Sequence, residues 1–143
     1  MANGDVRFIV SDGNLGRVPE GEDHVSAILI ATTSPVGWTD SLGKKYLSLS
    51  AVEADGIVDG DATYGVLWYF AKEFFRVAGA AELWLINKLD ADYTAQNVFA
   101  LTEGKLRQVY YYNEANYAGL AAEVTAMKAL ADALNALHAP IVV

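Results

Sequence analysis

The sequence predicts a three-layer α/β fold: a mainly parallel sheet with helices on both faces, plus a short N-terminal β segment. Three observations predict it. Residues 27–31 and 83–86 are short, continuously apolar runs, with the length and composition of strands covered on both faces. Longer segments between and after them carry capping residues, helical spacing and closing glycines. Strand and helix patterns alternate over the last two-thirds of the chain, which calls for crossover connections and parallel pairing.

The elements follow in order. Residues 7–10 give a short strand, and Ser11-Asp12-Gly13-Asn14 has the Asp-Gly chemistry of a tight turn. A loop through Gly16, Pro19 and Gly21 leads to a strand over 25–31, bounded by Thr32-Thr33-Ser34-Pro35. A short strand over 46–49 and one helical turn over 50–56 come next. Asp59 or Asp61 caps a helix over 62–77, since a carboxylate there accepts the free N–H groups of the first turn, and Gly79 ends it. Leu67, Phe70, Ala71, Phe74 and Val77 share one face of this helix. Val66, Trp68, Tyr69 and Phe75 extend the apolar surface around it, leaving Lys72, Glu73 and Arg76 as a narrow polar stripe. Such a helix is expected to be sandwiched in the fold or pressed against another copy or domain.

Residues 82–86 form the next strand, and Asp90 or Asp92 introduces a helix over 93–103 that Gly104 stops. A strand over 106–112, a turn over 113–116 and a long helix over 117–137 follow. Leu120, Val124, Met127, Ala131 and Leu134 make the helix's expected core stripe, with Glu123, Lys128 and Asp132 opposite. Ile141, Val142 and Val143 read as a closing strand. Nothing marks an internal boundary, so residues 1–143 are expected to be a single α/β domain. Because the last three residues read as a buried strand, the expectation is that the chain is the N-terminal part of a longer protein.

Composition bounds the function. A chain of 143 residues, 53% of them hydrophobic, can bury a core without metals or crosslinks. With no cysteine it has no disulfide framework, thiolate metal site or thiol nucleophile. A formal charge of −8 argues against nucleic-acid binding, which draws its affinity from a basic face. The densest apolar stretch, residues 64–75, is broken by Lys72 and Glu73 and falls short of the roughly 20 apolar residues of a membrane span. Residues 1–5 have no signal-peptide character, so synthesis in the cytoplasm is expected.

Candidate chemistry is sparse. Gly13, Gly16 and Gly21 match neither a P-loop nor a dinucleotide fingerprint, and His24 and His138 stand on separate elements. No serine lies in a nucleophile elbow, and Asp55, Asp59 and Asp61 lack the order of a calcium loop. No catalytic residue, cofactor or metal is therefore expected. One alternative comes from topology, because open parallel sheets bind ligands beyond the carboxyl ends of their strands. Asp90 and Asp92 follow one strand there, and Asn113 and Glu114 follow the next. These four could hold a cation or polar ligand, as in a receiver-like or flavodoxin-like domain; capping and turn formation explain the same residues. Tyr110-Tyr111-Tyr112 and Trp38, Trp68 and Trp84 read as core and interface material.

Several segments resemble the sheath proteins of contractile phage tails and related injection machines, in the divergent branch first catalogued as a family of unknown function. They are Asn14-Leu15-Gly16-Arg17 with residues 21–28, Phe74-Phe75-Arg76, Ala81-Glu82-Leu83-Trp84, Gly104-Lys105-Leu106-Arg107-Gln108-Val109, and Leu137-His138-Ala139-Pro140. The resemblance covers most of this chain and the front part of a typical sheath protein. It implies a non-enzymatic virion protein, assembled in the bacterial cytoplasm, whose copies stack around an inner tail tube protein and contract to drive it through an envelope. It also implies extended arms that complete the sheets of neighbours. Trp68, Phe75, Ile141, Val142 and Val143 are the expected assembly interface.

Overall fold

The computed structural model describes residues 25–79, 81–111 and 120–137. The expected strand over 7–10, the glycines and histidines outside these ranges, Asn113, Glu114, Ile141, Val142 and Val143 lie outside the described residues.

The fold is built on β1 (Val25–Ile30). Its apolar run belongs to a strand buried on both faces: Val25, Ala27 and Leu29 point into one core, Ile28 and Ile30 into another. The chain then forms β2 (Gly43–Tyr46), α1 (Leu49–Ala54), α2 (Gly65–Ala78), β3 (Glu82–Asn87), α3 (Ala95–Leu101), β4 (Gln108–Tyr111) and α4 (Leu120–Ala136). The sheet order is β2-β3-β1-β4. β1 pairs in parallel with β3 and β4, while β2 runs antiparallel to β3. Three layers and a mainly parallel sheet are thus as the sequence predicts, with one antiparallel edge added.

The register explains the two cores. Ala27 lies beside Trp84 and Val109, so these three share the face covered by Val98 of α3 and Leu130 and Leu134 of α4. On the other face Ile28, Leu83 and Leu85 meet Val52 of α1 and Leu67 and Ala71 of α2. Strict period-two alternation along β1 and β3 sends every second side chain to each layer.

Several boundaries differ from the expectation for local reasons. The second strand begins at Gly43, three residues before the anticipated Tyr46, and Ser48 instead caps α1 by accepting the Ala51 N–H. Asp61 does cap a turn, accepting the Thr63 and Tyr64 N–H groups at 2.7 and 2.8 Å, but the regular helix starts at Gly65. Thr94 caps α3 by accepting the Asn97 N–H, where Asp90 or Asp92 was expected. In α4, Val124 is 60% exposed, while Leu130, Ala131 and Leu134 are buried. The helix therefore meets the sheet chiefly through its C-terminal half.

A polar network fastens β2 to the α1 side. The Trp38 indole N–H donates to the Tyr46 hydroxyl at 2.7 Å, which donates to Asp55 Oδ2 at 2.6 Å, and Lys44 pairs with the same oxygen at 2.7 Å. Burial and the adjacent Asp55 raise the Tyr46 phenol pKa, keeping it a donor. Gly37 sits against this network: a Cβ there would lie 2.3 Å from Asp55 Oδ1, so the close approach requires glycine.

Leu29 is fully buried at the centre of β1. Leu29→Ala is expected to destabilise the fold by about 3 kcal/mol, the cost of a core cavity that cannot collapse between two helical layers. Chemical denaturation measures it, and a loss below about 1 kcal/mol would show that β1 is not the packed centre.

Candidate functional site

The carboxyl ends of β1, β3 and β4 lie together, at the point where the chain leaves β1 toward the α1/α2 face and leaves β3 toward the α3 face. In open α/β sheets this divergence creates a crevice. Here polar side chains line it. Asn87, buried at the end of β3, donates from Nδ2 to Ser34 Oγ at 2.8 Å and accepts the Leu89 N–H at 3.0 Å. Ser34 Oγ donates in turn to the Ser41 carbonyl at 2.8 Å, and the Asn87 N–H donates to the Leu42 carbonyl at 2.7 Å. One asparagine thus ties the loop after β1 to the approach to β2.

Of the anticipated ligand residues, Asp90 and Asp92 fall in one turn. Asp90 accepts the Asp92 N–H at 2.9 Å. A hydrogen bond from Ser41, reinforced by that backbone N–H, holds the Asp90 carboxyl below the usual range. Asp92 is exposed. Among the described residues no three acidic or histidine side chains are grouped as a metal site would require.

A second cluster, not singled out in the sequence, lies on the α4 side of the same edge. Lys88, one residue past β3, forms an ion pair with Glu123 of α4 and places its ammonium 4.3 Å from the centre of the Tyr111 ring. Both charged side chains are partly buried. Burial alone would lower the Lys88 pKa, but its contacts with Glu123 and Tyr111 outweigh this and raise it. Tyr93 packs beside them, and burial, with the nearby Glu123 charge, pushes its phenol up to about 12. Glu123 thus faces the sheet rather than the solvent side. The sequence spaces Lys88 and Glu123 35 residues apart, and only the docking of α4 brings them together.

The expected assembly residues divide. Trp68 and Phe75 are partly buried against the α1/α2 core. Trp68 donates its indole N–H to Glu53 Oε1 at 2.8 Å and carries the Lys72 ammonium over its ring. The outward surface of α2 belongs instead to Val66, Tyr69 and Val77, the last two 53% and 75% exposed. Compared with protein-family models, curated proteins and solved structures, the chain matches none. Among the described residues no helix is long and apolar enough to cross a membrane.

Two outcomes follow from the Lys88 cluster. In a double-mutant cycle, Lys88→Met and Glu123→Gln are expected to show a coupling of about 1–2 kcal/mol, between the values of exposed and buried pairs. A coupling near zero would mean that the pair only decorates the edge. The alkaline limb supplies the other outcome. A phenol whose pKa is raised on folding stabilises fully below about 10, and that contribution is lost as pH climbs toward about 12. The melting temperature of the parent protein should fall across this window, and Tyr93→Phe should make the fall shallower; an unchanged slope would contradict it.

Proposed function

We propose that this chain is a non-enzymatic structural subunit of a contractile sheath of the kind it resembles, whose copies associate around an inner tube protein. The observation that supports the reading is the outer face of α2. Val66, Tyr69 and Val77 expose apolar surface on a helix whose opposite side is already packed, and Trp68 and Phe75 continue that surface into the core. Exposed apolar side chains gathered on one side of a helix, rimmed here by the Glu73 and Arg76 ion pair, suit a site of association.

The polar groups at the carboxyl end of the sheet favour the same reading. Asn87, Ser34, Lys88 and Glu123 are engaged with one another and with the backbone, which fits a role in fixing the loops. A subunit that transmits force needs such rigidity at its strand ends. On this account the protein works in the tail of a virion or a related injection apparatus, after assembly in the bacterial cytoplasm.

The test is self-association. Tyr69→Glu combined with Val77→Glu is expected to shift the sedimentation profile to monomer while changing stability by no more than about 0.5 kcal/mol, since both side chains are exposed. Trp68→Glu and Phe75→Glu should lower stability as well, because each also packs on the core. An identical sedimentation profile for the Tyr69 and Val77 double variant would count against the proposal.

A further inference from the structure

We propose that Asp59 and Gly60, in the loop before α2, are a site of spontaneous backbone modification, where the chain closes to a succinimide and reopens as isoaspartate. The polar network around Asp55 guards the nearby Asp55-Gly56 pair from the same reaction. The inference is independent of the assembly reading and concerns a different part of the molecule.

The chemistry is intramolecular. The backbone nitrogen that follows an aspartate attacks the side-chain Cγ and forms a C–N bond, while the nitrogen's proton and the carboxyl's hydroxyl leave together as water. Water then adds to one of the two ring carbonyls. Breaking the bond from nitrogen to Cγ restores aspartate; breaking the other leaves the main chain running through Cγ, one carbon longer. A glycine in second place has no Cβ to hinder the attack and adopts the widest range of backbone angles. Inside a fold, the rate then depends on whether the carboxyl and the following N–H can meet or are held by other bonds.

Two Asp-Gly pairs fall among the described residues, and the fold treats them differently. The Asp55 carboxylate is fixed: its Oδ2 accepts from the Tyr46 hydroxyl at 2.6 Å and pairs with the Lys44 ammonium at 2.7 Å, its Oδ1 lies against Gly37, and the side chain is only 10% exposed. The nitrogen that would attack it is engaged as well, since the Gly56 N–H donates to the Glu53 carbonyl at 3.0 Å at the end of α1. Asp59 and Gly60 are both exposed. Among the described residues no donor holds the Asp59 carboxylate and no acceptor takes the Gly60 N–H. The two sit at the centre of a turn closed by the Asp61 N–H on the Val58 carbonyl at 3.3 Å, with Gly60 at φ 74°. The added carbon of isoaspartate would fall just before Asp61, whose carboxylate holds the Thr63 and Tyr64 N–H groups at the approach to α2.

The test ages the full chain in buffer and, in parallel, in denaturant, and follows isoaspartate at each position by peptide mapping with isoaspartyl methyltransferase labelling. Referring each native rate to the same position's rate in denaturant removes the intrinsic influence of neighbouring side chains. Asp59 is expected to react in the folded protein within about threefold of its unfolded rate, and Asp55 at least about tenfold more slowly than its own, because it must wait for local opening. Equal protection of the two positions, or a slowing of about tenfold at Asp59, would overturn the proposal. Tyr46→Phe combined with Lys44→Met should speed the reaction at Asp55 in the folded protein and leave Asp59 unchanged. An unmoved Asp55 rate would overturn the guarding role of the network. Asn3-Gly4 and Asp12-Gly13 lie outside the described residues, and the separate peptides that carry them keep them out of the comparison.

Discussion

Every layer of this protein is hung on β1, which is hydrogen-bonded on both sides and buried on both faces. Its parallel pairing with β3 and β4 fixes the register of the whole sheet. Ala27, Leu29, Ile28 and Ile30, alternating along six residues, decide which helices can dock where. A one-residue slip would exchange the two faces and pull both cores apart. The small Ala27 lies level with Trp84, leaving room for the indole, while Leu29 and Ile30 fill the centre.

From this constraint follows the character of the sheet ends. Because the chain leaves β1 and β3 toward opposite faces, the loops between them need fastening, and Asn87 does it with two side-chain bonds. On the α4 side the Lys88 and Glu123 pair performs the same task between β3 and a helix that contributes few core residues in its first half. Most of these polar contacts are partly buried, and their partners are supplied by the fold itself. Among the described residues, apolar side chains are left exposed on the outer face of α2 and beside β4. A structural reading of the protein rests on that division.

The elements dominated by local pattern were legible in the sequence. The strands at Val25–Ile30 and Glu82–Asn87 were visible because an apolar run of that length has few alternatives, and α2 because a cap, helical spacing and Gly79 agree. β2 was shifted because Lys44 and Lys45 give an edge strand no apolar signature; its pairing comes from β3 and from the Tyr46 network. The cap of α3 was misread because three candidate cap residues lie within five positions, and backbone geometry chose Thr94. Lys88, Tyr93, Tyr111 and Glu123 could not be grouped from sequence, since their meeting depends on the rotation of α4 about its own axis. Glu123, expected opposite the core stripe, gave no sign of the partner it meets on the sheet side.

The central claim is that this molecule acts by touching copies of itself. Electron microscopy of the purified protein over a rising concentration series tests it most directly. Rings or tubes of regular diameter, built from repeating copies, are the result the account predicts; particles that stay solitary at every concentration would contradict it.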